Sequence, residues 1–174
     1  MAEAVAAGPG GSLAMRPAAL ARLIALLLPL ALLGGALGSQ YIGGLHPCEM
    51  CYWQRWPHAF AIVAAALAFT ASADSSRSRN LTLLAALAIA VSGIIGVYHA
   101  GVEAKIFEGF TTCTKLVTGG STADMLKQIS QAPLVRCDQV QFSFLGISMA
   151  GWNAILSLGG AATILFLTLR GVRR

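Results

Sequence analysis

The chain is poor in charge. Asp, Glu, Lys and Arg together make up only 11% of its 174 residues, whereas 56% are hydrophobic and the mean hydropathy is +0.71. A soluble domain of this length cannot bury so much apolar surface in one core. The scarcity of charge therefore argues against a soluble fold and favours a membrane protein.

Four apolar stretches are long enough to cross a bilayer, whose ~30 Å hydrocarbon core needs about 20 residues per helix. They cover approximately residues 17–40, 52–73, 80–101 and 147–169. The sequence thus predicts an all-α membrane protein with a single four-transmembrane-helix bundle over residues 16–174. Residues 1–15 are rich in Ala and Gly, and we expect them to be disordered.

Basic residues mark one side of this bundle. Seven arginines lie in the N-terminal segment, in the loop at 74–79 and in the C-terminal tail: Arg16, Arg22, Arg77, Arg79, Arg170, Arg173 and Arg174. The positive-inside rule then places both termini in the cytoplasm. The 41–51 loop and the long 102–146 loop face outward. No nucleic-acid partner is predicted, because the arginines are few and flank apolar runs.

The first apolar stretch has a second interpretation. Arg16 and Arg22 followed by residues 23–33 look like the charged and apolar regions of a secretory signal peptide. The apolar run continues to Gly38, which suits a helix that spans the membrane. We therefore interpret the segment as a span that is retained.

Cysteines are scarce too, and all four fall on the predicted outer side: Cys48, Cys51, Cys113 and Cys137. Disulfides can persist outside a bacterial inner membrane or in an ER lumen. Two interpretations of these cysteines compete, structural cross-links and a redox relay. A disulfide between Cys113 and Cys137 would close the long loop and restrict its unfolded state, so a structural role fits that pair equally well.

The Cys48–Cys51 pair points more clearly to redox chemistry. A C-x-x-C ring is small and stabilises little by loop closure, but it is well suited to thiol–disulfide exchange. Zinc binding is the other common use of this spacing. The chain has no second C-x-x-C, and Cys113 and Cys137 lack short ligand spacing, so no metal is predicted.

The residues after Cys51 continue the same helical face. Pro47 suits the first position of a helix, which would place both cysteines in the first turn, where unpaired N–H groups favour a thiolate. At about 100° per residue, Cys48, Cys51, Arg55 and His58 then share one face. Arg55 is either a charge partner for a sulfur or a lipid anchor. His58 is either a proton carrier or, as we expect, a packing residue hydrogen-bonded to its neighbours.

These features resemble the disulfide bond formation protein B (DsbB) family of bacterial inner membranes. The resemblance rests on C-x-x-C followed by Gln54-Arg55, on the segments YHAGVE at 98–103 and TTC at 111–113, and on FLGISM at 144–149 leading into Trp152. It covers about residues 20 to 170. The family implies four membrane helices with both termini cytoplasmic and both cysteine loops periplasmic.

The resemblance also implies an activity, oxidation of a periplasmic DsbA-like thioredoxin-fold dithiol, with the electrons passing to ubiquinone or menaquinone in the lipid bilayer. Carried over by position, Cys113 is attacked by the partner and Cys137 is released. Cys48 and Cys51 form the second disulfide, and Cys51 and Arg55 face the quinone. His99 and Glu103 belong to the quinone region, as proton donors or as a helix-end pair.

Two alternatives remain open on the sequence. A vitamin K epoxide reductase-like enzyme also combines a C-x-x-C with a loop pair, but there the loop pair comes first, whereas here Cys48 and Cys51 come first. A non-enzymatic membrane assembly protein with two structural disulfides is the other. Glu49 departs from the apolar residues usual inside the C-x-x-C and leaves the redox potential open.

Overall fold

The computed structural model describes residues 16–109, 121–131 and 135–172. Within these ranges the chain forms five α-helices and one two-stranded hairpin. The elements are α1 (Pro17–Tyr41), α2 (Glu49–Ala68), α3 (Ser76–Glu103), α4 (Thr122–Gln131), β1 (Ser143–Phe144), β2 (Ile147–Ser148) and α5 (Met149–Val172). The expected disorder of residues 1–15 and the position of Cys113 lie outside the described residues.

Three helices, α1, α3 and α5, are long and apolar enough to cross a membrane. They confirm the prediction of an all-α membrane protein. The length of α2 also suits a bilayer, since 20 residues rise about 30 Å. Its first half carries Glu49, Gln54, Arg55 and His58, which make it less apolar than the other three. The count of four spans and their orientation stay predictions.

The helices pack together through small side chains. α3 packs against α2 and α5, and α1 packs against the same two helices. The core between them is mostly alanine, with two isoleucines: Ala21, Ala25, Ala61, Ala64, Ala65, Ala85, Ala86, Ala88, Ile89, Ala161 and Ile164. Because lipid is as apolar as leucine, close backbone approach drives helix association in membranes. Large apolar side chains such as Leu87 and Phe166 instead point outward, 62% and 52% exposed.

Polar contacts join the start of α1 to the connection between α2 and α3. Arg16 Nη1 lies 2.9 Å from Asp74 Oδ2, and Arg22 Nη1 donates to the Ala71 carbonyl over 3.0 Å. The N-terminal segment and the 74–79 loop therefore meet at one end of the bundle. The prediction that the arginine-rich segments share one side of the membrane depends on this arrangement.

The second helix begins earlier than the predicted 52–73. Cys48 is its N-cap, with extended backbone, and its sulfur accepts the Cys51 N–H. Pro47 therefore precedes the cap instead of starting the helix. α2 also runs through Pro57 without restarting and ends at Ala68, five residues before the predicted end.

The fourth apolar stretch, predicted as a helix over 147–169, starts with a strand. Phe144 pairs with Ile147 across a two-residue turn at Leu145 and Gly146, which have φ values of 52° and 76°. Positive φ at both turn positions is the geometry that suits the twist of a tight hairpin. The helix then begins at Met149, after Ser148, whose Oγ accepts the Gly151 N–H over 3.1 Å.

The short helix α4 begins directly after Ser121. The Ser121 hydroxyl accepts the Asp124 N–H over 3.3 Å, and the Asp124 carboxylate accepts the Ser121 N–H over 3.2 Å. Such reciprocal bonds satisfy N–H groups that a helix start leaves without partners. The long connection between α3 and α5 thus contains its own secondary structure.

Candidate functional site

Two cysteines stand at the N-terminal end of α2. Cys48 is 3% exposed, and Cys51, one turn further on, is half-buried. Their Sγ atoms are 3.0 Å apart, and the Cys51 N–H donates to the Cys48 sulfur over 3.4 Å. Since a disulfide needs sulfurs about 2.05 Å apart, the pair can pass between dithiol and disulfide with little motion.

A third cysteine, Cys137, meets this pair from the connection between α4 and α5. It is fully buried and shares a small apolar cluster with Cys48, Met50 and Val102. A side-chain hydrogen bond to Cys137, a second to Cys51, and burial raise the pKa of the Cys48 thiol. The structure brings together three of the four predicted cysteines, and Cys113 lies outside the described residues.

Ion pairs hold the backbone at Cys137 in place. The Asp138 carboxylate accepts hydrogen bonds from Arg136, over 2.9 Å, and from Lys105 Nζ, over 2.6 Å. Lys105 also donates to the Asp138 carbonyl and has a φ of 60°, an uncommon value for a residue with a side chain. Arg136 and then Lys105 hold the pKa of Asp138 well below its usual range. The end of α3 is thus tied to the residue after Cys137.

His99 and Glu103, in the last turns of α3, lie beside the same sulfurs. His99 Nε2 is 3.5 Å from Cys48 Sγ and 3.9 Å from Glu103 Oε1. Both side chains are buried, at 4% and 9% exposure. The structure therefore places these two predicted cofactor residues next to the thiol pair, where their roles remain predictions.

Arg55 extends from α2 to the end of α1. Its two terminal nitrogens donate to the Gln40 side chain, over 2.5 Å, and to the Ala36 carbonyl, over 3.1 Å. The guanidinium also lies over the Tyr52 ring, 5.2 Å from its centroid. Arg55 is thereby held by the protein, one turn below Cys51.

A cavity of about 630 Å³ opens beside these residues. The face predicted from helical spacing, with Cys48, Cys51, Arg55 and His58, lines it, and so do His99 and Glu103. Most of the remaining wall is apolar and comes from α1 and from the segment around the hairpin: Ala31, Leu32, Leu33, Gly35, Ala36, Leu45, Phe142, Phe144, Met149, Ala150 and Trp152. The site thus combines thiols, a cation and a carboxylate with an apolar enclosure.

Sequence reasoning missed the polar group beneath this cavity. Asn153 of α5 bonds to Gln54 and to Ser92, and His58 bonds to Asn153 Oδ1 over 2.9 Å. His58 is thus buried and hydrogen-bonded to its neighbours, and its role stays a prediction. Asn153 could have been identified from the sequence as a carboxamide within an apolar membrane helix, where polar residues are rare and costly to bury.

The thiols and His99 also form a possible metal-ligand group. The Sγ atoms of Cys48 and Cys51 and a ring nitrogen of His99 lie within 4.8 Å of one another. Two sulfurs and one imidazole are a donor set that zinc accepts. Proximity alone does not make them ligands, because the imidazole must present a lone pair to the metal.

Together, the apolar helices and the buried cysteine cluster define a membrane-embedded thiol protein. The family described as disulfide bond formation protein DsbB matches residues 18–167, and the chain belongs to that family. Three relatives are named disulfide bond formation protein B or B 1. The chain is 31% identical to that of Methylococcus capsulatus, with 82% of this chain and 90% of the relative covered. For Pseudomonas putida the values are 33%, 74% and 77%, and for a Polaromonas species they are 30%, 83% and 86%. No solved structure gives a significant match.

Proposed function

We propose that this protein is a thiol:quinone oxidoreductase of the bacterial inner membrane. It reoxidises a periplasmic DsbA-like dithiol protein and passes the electrons through two cysteine pairs to ubiquinone or menaquinone. One observation supports this above the others. Cys48 contacts Cys137 of the long connection, while Cys51 lines the apolar cavity. A single pair thus faces both a second thiol and a site for an apolar acceptor.

The residues of the cavity fit a quinone. Its volume of about 630 Å³ lies within the usual range for small-molecule sites, and its wall is mostly apolar. Arg55 Nε and Glu103 Oε2 are buried polar atoms that have no hydrogen-bond partner within the described ranges. Buried polar atoms are costly without partners. A quinone oxygen can accept a hydrogen bond from Arg55 Nε, and a hydroxyl of the reduced quinol can donate one to Glu103 Oε2. Arg55, Cys51, His99 and Glu103 would hold the ring.

A bound quinone would supply an acceptor for two electrons and two protons. The Cys48–Cys51 dithiol gives up both and becomes a disulfide. Arg55 places a fixed positive charge beside Cys51, and such a charge stabilises developing negative charge more strongly in a dry cavity than in water. Glu103 and His99 are within reach to hold protons at the cavity wall. The apolar wall excludes water from the reaction.

The exchange between the two pairs follows from the position of Cys137. In the proposed sequence the partner thiolate attacks Cys113 and forms a mixed disulfide, and Cys137 is released as a thiolate. That thiolate attacks the Cys48 sulfur of the Cys48–Cys51 disulfide, and Cys51 leaves as the thiolate at the cavity. The second thiolate of the partner attacks the mixed disulfide, which oxidises the partner and frees Cys113. The Cys113 thiolate then attacks Cys137, closes the Cys113–Cys137 bond and releases Cys48, so that two electrons have passed to the α2 pair. Each step exchanges one thiolate for another.

We further propose α2 as the fourth membrane span. It packs between α1 and α3, and its outward face is apolar, with Phe60, Val63 and Leu67 at least 46% exposed. Gln54, Arg55 and His58 of its first half instead line the cavity. Polar side chains inside a membrane protein normally face its interior in this way. Four antiparallel helices then place both termini on the arginine-rich side, which is the cytoplasmic one.

The direct test is anaerobic oxidation of the reduced protein by a quinone. The protein is purified in detergent and reduced, a short-chain ubiquinone is added, and free thiols are counted over time. We expect loss of two thiols per added two-electron equivalent in the wild type and none in Cys51→Ser. Retention of all thiols in the wild type would reject the quinone. A menaquinone analogue used in parallel decides between the two acceptors.

Family membership favours this activity over the vitamin K epoxide reductase-like alternative. A non-enzymatic role with structural disulfides remains distinguishable by the same assay. Such a role predicts that the Cys48–Cys51 bond resists mild reduction and that adding the quinone does not change the number of free thiols.

A further inference from the structure

A chain of buried hydrogen bonds links the thiol pair to the centre of the bundle. It starts at Cys48 and passes through His99 of α3, Gln54 of α2 and Asn153 of α5 to His58. Burying polar groups inside a membrane bundle costs free energy, so such groups are candidates for a functional role. The proposed oxidase steps use Cys48 and His99 from this chain, whereas Gln54 and Asn153 have no role in them.

Backbone carbonyls fix which way both carboxamides point. The Asn153 Nδ2 atom lies 3.2 Å from the Ser92 carbonyl, and Gln54 Nε2 lies 3.2 Å from the Met50 carbonyl. A carbonyl can only accept, so each of these atoms must be the NH2 group. Asn153 Nδ2 then donates to Gln54 Oε1 over 2.8 Å. Two carbonyls and one bond between the amides therefore determine both orientations.

These orientations decide the tautomer of His99. Gln54 Nε2 lies 2.8 Å from His99 Nδ1, and an NH2 group can only donate, so Nδ1 must accept. In a neutral ring the proton then sits on Nε2. That nitrogen is 3.5 Å from the Cys48 sulfur, and a hydrogen bond also joins the ring to the Cys137 backbone. The ring thus presents an N–H to the meeting point of the two sulfur pairs.

We propose that Gln54, held in orientation by Asn153, is a positioning residue that keeps His99 as an Nε2–H donor to the Cys48 sulfur. The same hydrogen bond prevents His99 from acting as a metal ligand with Cys48 and Cys51. The assignment of the His99 tautomer does not depend on the quinone. Only its benefit to sulfur exchange rests on the proposed oxidase activity.

The consequence for metals follows from the lone pairs. Zinc binding through His99 Nε2 requires that nitrogen to be unprotonated, which places the proton on Nδ1. Metal-binding histidines normally donate that second N–H to a carboxylate or carbonyl. Here Nδ1 faces an amide N–H instead, so a metal would require two donors to face each other. The structure thus keeps a reduced Cys2His group available for exchange.

The consequence for exchange concerns charge on Cys48. When the Cys137 thiolate attacks Cys48, negative charge spreads over the sulfurs that share the transferring bond. The His99 N–H and the Cys51 N–H both point at the Cys48 sulfur, and donors placed before the reaction stabilise that charge without rearrangement. Because a carboxamide donates without releasing its proton, Gln54 holds the ring but supplies no proton through it.

Nitrogen NMR of the reduced protein labelled at histidine tests the tautomer directly. The chain has three histidines, and the His99 signals are identified by their loss in His99→Asn. At pH 8 we expect a protonated Nε2 and an unprotonated Nδ1 at His99. A protonated Nδ1 in the wild type would overturn the proposal. This measurement uses no quinone, so its failure is separate from failure of the proposed oxidase.

The variant Gln54→Glu tests the cause. At pH 8 a carboxylate only accepts, so we expect the proton at His99 to move to Nδ1. Ser157→Ala removes a hydroxyl that bonds to Asn153 Oδ1 at the far side of the chain, and it should keep the wild-type spectrum. An unchanged His99 spectrum in Gln54→Glu would show that Gln54 does not set the tautomer of His99.

Cobalt binding gives a second readout that a purely structural role would not change. Co²⁺ bound to thiolates absorbs in the near ultraviolet, and titration of the reduced protein reports its affinity. We expect Gln54→Glu to bind Co²⁺ at least about tenfold more tightly than the wild type. Ser157→Ala should match the wild type. Equal affinity in wild type and Gln54→Glu would contradict the exclusion of metal by Gln54.

Discussion

Arg55 of α2 donates to the side chain of Gln40 near the end of α1, and its remaining nitrogen, Nε, is buried beside the cavity. The guanidinium therefore spans the gap between two helices and keeps one donor directed to the interior. The ammonium group of a lysine cannot reproduce this planar arrangement of hydrogen-bond donors.

Replacement of Arg55 by Lys is expected to weaken use of the quinone. The apparent KM should rise roughly tenfold, since a hydrogen bond involving a charged group contributes about 1.5–3 kcal/mol. The turnover number should change less. The matched control is Arg22→Lys, which alters an arginine bonded to the Ala71 carbonyl at the opposite end of α1. An unchanged KM in Arg55→Lys would reassign Arg55 to helix packing.

Replacement of Cys51 by Ser is expected to trap a disulfide between Cys48 and Cys137. Without Cys51, the Cys48 thiolate can attack Cys137 of the loop disulfide, release Cys113 as a thiolate and remain bonded to Cys137. Peptide mapping under non-reducing conditions would detect the bond. Cys48→Ser is the control, since it removes the attacking sulfur. A Cys51→Ser protein that forms only a Cys48–Cys113 bond would contradict the contact seen here.

The ion pairs at Asp138 predict a pH-dependent contribution to stability. Its pKa is lower in the folded protein than in the unfolded chain, so the stabilisation is full above the ordinary carboxyl pKa near 4 and decreases progressively as pH falls from there through the folded-state pKa. We expect Asp138→Asn to lower Tm by about 1–3 °C from pH 7 to pH 5. The difference from wild type should shrink below about pH 4.

The control for Asp138→Asn is a variant that removes a carboxylate charge from a more exposed ion pair. Asp74→Asn removes an ion pair with Arg16 in which both side chains are well exposed, 60% and 79%, and should lower Tm by less. A Tm difference for Asp138→Asn that persists unchanged at pH 3 would show that the carboxylate charge is not its cause.

Gly96 is expected to be indispensable for the approach of α3 to α5. A Cβ there would lie 3.0 Å from the Ala150 carbonyl oxygen and 3.0 Å from the Ala154 nitrogen, which are backbone atoms that cannot move aside cheaply. Gly96→Ala should therefore destabilise the protein by about 1–3 kcal/mol. Thermal unfolding in detergent measures this.

The control for Gly96 is Gly34→Ala in α1, where a Cβ meets nothing within 4 Å. An alanine there should leave stability unchanged or slightly raised, since glycine is a poor helix former. Equal effects of the two substitutions would show that the close contact between α3 and α5 is not limiting.

Local spacing predicted part of the site correctly. Because an α-helix repeats every 3.6 residues, Cys48, Cys51, Arg55 and His58 had to share a face, and all four line the cavity. The bond between Ser121 and Asp124 at the start of α4 likewise joins residues three apart. Each of these relationships involves contacts within one helix, where geometry follows from sequence position.

The errors at helix ends have a local cause as well. The last helix was predicted to begin at residue 147, so strand β2 of the hairpin was included in it because Ile147 continues the apolar run. Leucine rarely adopts the positive φ that Leu145 has, so composition gave no sign of the turn. Cys48 was expected inside α2 because Pro47 suits a first helical position, but the cysteine sulfur serves as the cap.

By itself, the sequence determined that the chain is a helical membrane protein of the DsbB family with a C-x-x-C on one helical face. Length, hydropathy and short-range spacing are sufficient for that, because each depends on neighbours along the chain. Only the tertiary structure decided that Cys137 meets Cys48 and that Asn153, 99 residues from Gln54 along the chain, orients its amide. Such contacts depend on how each helix is rotated and how closely the small residues let the helices approach, and no local pattern records either quantity.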